Sequence, residues 1–194
     1  MENAKMKSGQ AHNDIQVEEI VLKVQNGDLK AFTKLYEHYV DRIYRYFFFK
    51  TDQESAYDLT ETVFLKVWEN IKKYKKKDKA NFSSWIFTIA HNLLVDHYRD
   101  RKEVLELDET EVDHTQDNNP IYLTEQSLTR DNLKIALGKI KSTYREVINL
   151  SFMNGLDNLE VARIMKKTEG GLRVLKFRAL QELKKVLKEM GMKN

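Results

Sequence analysis
Apolar side chains recur at intervals of three and four residues through most of this chain, the spacing that gathers them on one face of an α-helix. Val17, Ile20, Val21 and Val24 begin the pattern, and Asn26-Gly27-Asp28 then supplies a stop and a new start. Phe32, Leu35, Tyr36, Tyr39, Ile43, Tyr46 and Phe47 mark a long second helix with a wide buried face. A third helix is predicted over about 54–71, with Leu59, Val63, Val67 and Ile71 turned inward. A fourth opens near Ser83 or Ser84, either of which can cap it, and carries Trp85, Ile86, Ile89, Ala90, Leu93 and Leu94. Four such helices can enclose one core over residues 15–101. From Glu103 to Asn119 the pattern stops, and Asn118-Asn119-Pro120 breaks any helix. That stretch has too little apolar surface to offset the entropy of ordering it. Residues 102–130 are therefore expected to form a flexible acidic linker, and residues 1–14 a disordered tail. Helical spacing returns with Leu133, Ala136, Leu137 and Ile140, and continues over 144–153, 159–165 and about 169–190. This second unit spans 131–190.

Composition points the same way. One proline and seven glycines in 194 residues leave few turn signals for an all-β chain, so the class expected is all-α, with two small helical domains. The absence of cysteine excludes disulfides, thiolate catalysis and Cys-ligated zinc, and a reducing cytoplasm is the natural compartment. No apolar run approaches the roughly 18 residues of a membrane span, and residues 1–10 lack a hydrophobic signal core, so a soluble, unexported protein without membrane insertion is expected. The net charge of +3 hides an uneven distribution: +2 over residues 1–101, −7 over 102–125 and +8 over 126–194. A basic C-terminal unit behind an acidic connector suits a module that binds a polyanion, although a solvated basic surface explains the charge equally well.

The second unit has the spacing of a helix-turn-helix. Asn154-Gly155 closes one helix, and Asp157 with Glu160 makes a capping-box start for the next. Ala162 is the small residue needed where a second helix crosses the first, and Leu172, Leu175 and Ala179 give that second helix an inward face. Arg173, Val174, Phe177 and Arg178 fall on the opposite arc, which can enter a major groove. The turn departs from the usual pattern: Lys166 stands where glycine is favoured and Lys167 where an apolar residue is, while Lys176 falls in the apolar arc and must snorkel to water. An ordinary helical hairpin with solvated arginines is the alternative.

In the first unit, Phe82 to Arg99 sets aromatics, an amide and a base beside the lysine-rich stretch 72–79. Unstacked bases can lie on such aromatics while lysines hold the backbone. Trp85, Ile89 and Leu93 share a face, however, and core packing accounts for Trp85 as well.

This stretch resembles the signature F-x-x-W-[LI]-x-x-I-A-x-N-x-x-x-D-x-x-R in the region 2.3 to 2.4 helix of extracytoplasmic-function (ECF) sigma factors of the sigma-70 family. Gly27-Asp28 through Tyr46 resembles region 2.1, and Asp58 to Trp68 resembles the region 2.2 pattern D-L-T-Q-E-V-F-L-x-V-W, with Glu61 and Thr62 in place of Gln and Glu. Region 4 is matched by Tyr144 to Ile148, Gly155-Leu156, Glu169-Gly170 and Arg178-Ala179-Leu180. The resemblance implies a non-enzymatic subunit, without cofactor or metal, that directs core RNA polymerase to promoter DNA. By position, Asp58, Glu61, Thr62 and Leu65 should dock on the polymerase clamp helices. Asn92 should meet the melted minus-ten element, Lys76, Lys77, Lys79 and Phe82 should border the loop holding a flipped base, and Arg99 should bind phosphate or pair with Asp96. Arg173, Phe177 and Arg178 should read the minus-thirty-five element, with Val174 and Leu175 replacing the common Ser and Arg. An anti-sigma factor is the implied inhibitor, and the free chain is expected to be a monomer whose two domains move independently.

Two other classes compete on sequence alone. A two-domain regulator that never meets polymerase should bind duplex tightly by itself. A metal enzyme has little support, since among His12, His38, His91, His97 and His114 only Glu111-x-x-His114 has ligand-like spacing.

Overall fold
The computed structural model describes residues 16–76, 81–107 and 125–191. Those residues form helices and turns and contain no strand. The predicted tail and most of the predicted linker lie outside them. In chain order the helices are α1 (16–25), α2 (Leu29–Phe48), α3 (Gln53–Asn70), α4 (Phe82–Leu107), α5 (Glu125–Gly138), α6 (Ser142–Ile148), α7 (Asn158–Ile164) and α8 (Glu169–Glu189). A 3-10 turn, Ile71–Lys73, follows α3, and a π-helical stretch, Asn149–Met153, continues α6. Helix α4 thus reaches into the segment expected as linker.

Local chemistry explains the boundaries. Gly27, with φ of 92°, adopts the left-handed conformation that ends α1, and bonds from Gly27 N to Val24 O and from Asp28 N to Lys23 O close the turn. Asp28 then caps α2 through Ala31 N, and Asp52 caps α3 through Ser55 N. For α4 the capping residue is Asn81, whose Oδ1 accepts from Ser84 N at 3.0 Å. The sequence pointed to Ser83 or Ser84; both are buried inside the first turn, with Ser83 Oγ 2.8 Å from Tyr39 Oη and Ser84 Oγ donating back to Asn81 O.

The first four helices enclose one core. Val17, Val21 and Val24 of α1, Leu35, Tyr39, Ile43, Tyr46 and Phe47 of α2, Val63 and Val67 of α3, and Ile86, Phe87 and Ala90 of α4 are buried. Tyr36, expected inward, remains partly exposed and packs its ring 4.5 Å from Phe64. Trp85, Ile89 and Leu93 are half-buried at the edge of this core rather than inside it. From α5 to α8, Ala136, Leu137, Ile140, Val147, Ile148, Leu150, Val161, Ile164, Leu172, Ala179 and Val186 are buried in the same way and join the same apolar cluster.

The two units are in contact in this structure. Helix α7 packs on α4, and the π-helical stretch packs on α2. Glu146 of α6, only 8% exposed, is the centre of the contact. Its Oε2 meets Lys50 Nζ, and its Oε1 accepts from Tyr46 Oη at 2.8 Å and lies 3.0 Å from His91 Nδ1. Asn149 Nδ2 donates to Tyr46 O at 3.0 Å, and Arg42 Nη2 donates to Asn154 O at 2.7 Å. Helical periodicity carries no information about partners about a hundred residues away, so this docking was invisible in the sequence.

Burial pushes the Glu146 carboxyl upward, but the Lys50 charge and the bonds from His91 and Lys50 outweigh it and hold the group down to about 2. Burial drives the Lys50 ammonium down to about 8, against the pull of Glu146. For a carboxyl whose folded pKa lies below its unfolded value, the stabilisation is present above the ordinary carboxylate range and disappears as pH falls. The contribution of Glu146 should therefore fade between about pH 4.5 and about pH 2. In urea titrations, wild type and Glu146→Gln should differ most near neutrality and converge only as pH falls to about 2. An equal gap at pH 7 and pH 3 would contradict this linkage.

Candidate nucleic-acid interface
Helices α7 and α8 form the expected helix-turn-helix. Asp157 Oδ1 accepts from Glu160 N at 2.8 Å while Glu160 Oε2 accepts from Asp157 N at 2.6 Å, a complete capping box. Thr168 Oγ1 caps α8 by accepting from Gly171 N at 3.2 Å. Ala162 is buried at the crossing, as are Leu172 and Ala179, and Leu175 is half-buried.

The turn between the two helices is tight despite its lysines. Lys166 has φ of 52°, the left-handed conformation usually given to glycine, with Lys166 N bonded to Arg163 O and Lys167 N to Ala162 O. The strain is carried by the lysine backbone. Lys176 is half-buried: its Nζ donates to Asn158 Oδ1 at 2.9 Å and sits 4.8 Å from the centre of the Phe152 ring. Burial pushes its ammonium below the usual lysine range.

The outward arc of α8 is as the wheel placed it. Arg173, Val174, Phe177 and Arg178 are all exposed, Val174 at 50% and Phe177 at 65%. Arg173 approaches Glu169 at only 3.9 Å, an exposed pair that solvent screens. A phenylalanine and a valine held in water between two arginines form a surface ready for a partner with both phosphate and apolar edges.

In the first unit, Asp58, Glu61 and Leu65 project from one exposed face of α3, Leu65 at 64% exposure. Thr62 is half-buried and donates its hydroxyl to Asp58 O at 2.8 Å within the helix. Trp68, one turn beyond Leu65, is also partly exposed and meets Phe32 edge-on at 4.9 Å. Sequence reasoning did not single it out, although its three-residue spacing from Leu65 was the available signal.

Lys76 is exposed, whereas Lys77 and Lys79 lie outside the described residues. Phe82 is fully buried, with Tyr39, Tyr74 and Trp85 around it at ring distances of 5.3 to 5.5 Å. It therefore offers no surface for stacking and instead anchors the start of α4. Glu18 Oε1 reinforces the anchor by accepting from Phe82 N at 3.0 Å and from Tyr74 Oη at 2.9 Å. Gln25 Nε2 fixes the preceding turn through Ile71 O and Tyr74 O, each at 2.8 Å.

Beside this anchor lies a cleft of about 280 Å³ lined by Lys66, Asn70, Lys73, Tyr74, Trp85 and Ile89. Two aromatic rings, two lysines and an amide thus converge between the end of α3 and the first half of α4. Asn92 is exposed one turn beyond Ile89, on the same side of α4. Lys66, Asn70 and Lys73 were missed as site residues because they join Trp85 only across the packing of two helices. Arg99 is exposed and pairs with Asp96 at 3.2 Å, and approaches Asp100 at 3.7 Å. Among the described residues there is no cluster of His, Cys, Asp and Glu that could hold a metal ion, and no helix long and apolar enough to cross a membrane. Glu111 and His114 lie outside the described residues.

Two family models match the chain in these two units: Sigma-70 region 2 over residues 35–104 and Sigma-70, region 4 over residues 130–183. The chain belongs to the sigma-70 family. Among its relatives, the ECF RNA polymerase sigma factor BldN of Streptomyces coelicolor is 32% identical over 176 residues, covering 87% of this chain and 65% of BldN. The ECF RNA polymerase sigma factor SigM of Bacillus subtilis is 25% identical over 152 residues, covering 78% of this chain and 91% of SigM. This sigma factor also shares its fold with the sigma factor RpoE of Bartonella quintana, solved in complex with the anti-sigma factor NepR, at a TM-score of 0.70 and 22% identity, over 82% of this chain and 98% of that one. Region 2 here is the α1–α4 unit and region 4 the α5–α8 unit.

Two substitutions test the local architecture of region 4. Asp157→Ala removes half of the capping box and should cost about 1 kcal/mol, several degrees in thermal midpoint for a domain this small. Lys166→Gly should act in the opposite direction, raising stability by up to about 1 kcal/mol as the left-handed strain is relieved. Calorimetry on the full chain reads both; a loss on Lys166→Gly would refute the strained turn.

Proposed function
We propose that this sigma factor binds core RNA polymerase, recognises the minus-thirty-five and minus-ten elements of a promoter, and promotes melting of the DNA between them and the start site. The observation that carries this reading is a pair of separate surfaces that combine basic and apolar side chains: the Arg173, Val174, Phe177 and Arg178 arc on region 4, and the aromatic, lysine-lined cleft beside Asn92 on region 2. In this scheme α8 enters the major groove of duplex DNA, its arginines bonding base edges or phosphates and Phe177 and Val174 packing against thymine methyl groups. Region 2 takes a base that leaves the stack: Trp85 and Tyr74 supply the stacking faces, and Lys66, Lys73, Lys76, Lys77 and Lys79 neutralise the backbone. Capture of the unstacked base biases the duplex towards the open form without covalent chemistry, so the chain acts as a binding subunit and not as an enzyme.

The exposed α3 face suits the docking role proposed for it. Asp58 and Glu61 flank Leu65 and Trp68, an apolar centre with an acidic rim, as protein interfaces are commonly built. Polymerase is the proposed partner of this face and promoter DNA the partner of the other two. An anti-sigma factor, of the kind bound to RpoE of Bartonella quintana, is the proposed inhibitor. Such a protein acts where chromosome and polymerase are found, in the cytoplasm.

Run-off transcription with core polymerase provides the test. Wild-type chain should direct a promoter-dependent transcript from a promoter selected out of a randomised library. Arg173→Ala or Arg178→Ala should weaken promoter binding about 5- to 150-fold, the cost of one lost base contact of about 1 to 3 kcal/mol. Asn92→Ala and Trp85→Ala should leave duplex binding by region 4 intact while reducing open complex seen by permanganate footprinting. A chain that binds duplex tightly alone and never forms a complex with core would overturn the reading.

A further inference from the structure
We infer that Lys176 is a positioning residue: its ammonium, tied to Asn158 and set on the Phe152 ring, fixes the roll of α8 and so decides where Arg173 and Phe177 stand against base edges. That α8 reads DNA rests on the function proposed above; the tie itself does not.

The inner seam of α8 leaves its roll under-determined. Leu172, Ala179 and Val186 follow one another at intervals of seven residues and are the buried side chains of the helix. They make one narrow line along it. Apolar contacts resist separation but are non-directional, so this line sets little preference for rotation about the helix axis. The first turn adds no side-chain brace, because it holds Gly170 and Gly171, and a side chain at Gly170 would meet nothing within 4 Å. In the half of the helix that carries the outward arc, Leu175 and Lys176 flank the line on its two sides, both half-buried. Leu183 and Leu187 brace the Lys176 flank only about two and three turns further on.

Lys176 supplies the directional contact that the seam lacks. Its Nζ donates to Asn158 Oδ1 at 2.9 Å and stands 4.8 Å from the centre of the Phe152 ring. A hydrogen bond weakens steeply away from its preferred length and angle, and a cation is drawn to the face of a ring, so two targets for one ammonium oppose rotation. Both targets are themselves held. Asn158 is the first residue of α7, directly after the Asp157 cap, and Phe152 belongs to the π-helical stretch, closed by Asn154 N on Asn149 O. A leucine or methionine in this part of the apolar arc would pack without losing hydration, whereas burial pushes the Lys176 ammonium below the usual lysine range. An amine here is explained by the contacts it makes.

Geometry links this tie to the outward arc. At about 100° per residue, Arg173 stands about 60° around the helix from Lys176, and Phe177 about 100°. With side-chain tips about 6 Å from the axis, a roll of about 20° displaces them by about 2 Å. An N–H···O bond keeps its length only within about 0.5 Å. Roll therefore changes which base edges the arc can reach, while the number of positive charges facing phosphate stays the same.

Three variants of the full chain separate this role from plain stabilisation and from a phosphate contact. Lys176→Met fills the position with an apolar side chain, Asn158→Ala removes the acceptor and leaves the charge, and Lys176→Arg keeps donor and charge. In holoenzyme reassembled with core polymerase, binding is measured to the upstream element selected by wild type and to its single-base variants. Lys176→Met and Asn158→Ala should each lower discrimination among these sites about fivefold, the lower end of what one base contact supplies. Lys176→Arg should recover most of it, and the thermal midpoint of Lys176→Met should stay level or rise. A role in stability alone would lower the midpoint and leave discrimination intact. A phosphate contact would make Lys176→Met weaken all sites equally, reduce the salt slope by about 1 and leave Asn158→Ala like wild type. Either result overturns the proposal. Because the chain has no cysteine, the paired substitution K139C and K184C puts spin labels on exposed positions of region 4 in the free full-length protein. Their distance distribution, read by pulsed electron resonance, should be narrow in wild type and broader in Lys176→Met and Asn158→Ala; an unchanged distribution in both overturns the tie. Broadening in both, together with a wild-type holoenzyme that shows no upstream sequence preference, leaves the tie standing and sinks the proposed function.

Discussion

A carboxylate almost sealed from water has to be matched by charge and hydrogen bonds, or it destabilises the structure that buries it. Glu146 is such a group, and the relative placement of the two helical units depends on how it is matched. Its three partners come from two different helices or their ends, Lys50 and Tyr46 at the end of α2 and His91 in the middle of α4. Those three are themselves positioned by the region 2 core, in which Tyr46 and Phe87 are fully buried neighbours. The fold of region 2 therefore dictates where region 4 can sit. The surfaces proposed to meet DNA and polymerase lie outside this contact: the α3 face around Leu65 and the α8 arc around Phe177 are among the most exposed apolar side chains of the protein.

This arrangement separates two tasks that a protein with several proposed partners has to reconcile. Surfaces for partners have to be exposed and partly apolar, which invites aggregation, while the free protein has to stay folded and soluble. Here the buried apolar side chains run through both units, and polar groups such as Arg42 with Asn154 and Asn149 with Tyr46 add hydrogen bonds where the units meet.

Much of the fold was legible because helical cores repeat at intervals of three and four residues. Leu35, Tyr39, Ile43, Tyr46 and Phe47 announce α2, and Leu172 and Ala179 fix the inner face of α8. The capping box of Asp157 and Glu160 was readable for the same reason, since its two residues lie within one turn. The α8 arc followed from the wheel, and the family from motif spacing along α3 and α4. Local rules failed where a neighbour from elsewhere in the chain took over. Asn81 caps α4 in place of the serines, because Ser83 is committed to Tyr39. Half-buried Lys176 finds Asn158 and Phe152, and Phe82 is buried against Tyr74 and Trp85 at the start of α4.

The sequence alone determined the helical class, the two units, the outward residues of α8 and the family, because each of these is written in spacings shorter than about two helical turns or in fixed motif registers. Only the tertiary structure decided which side chains line the cleft beside Asn92, how the Lys166 turn closes, and that Glu146 closes one unit onto the other. Those depend on contacts between residues up to about a hundred positions apart. The free energy of such contacts is set by burial and geometry in three dimensions, which no periodicity along the chain records.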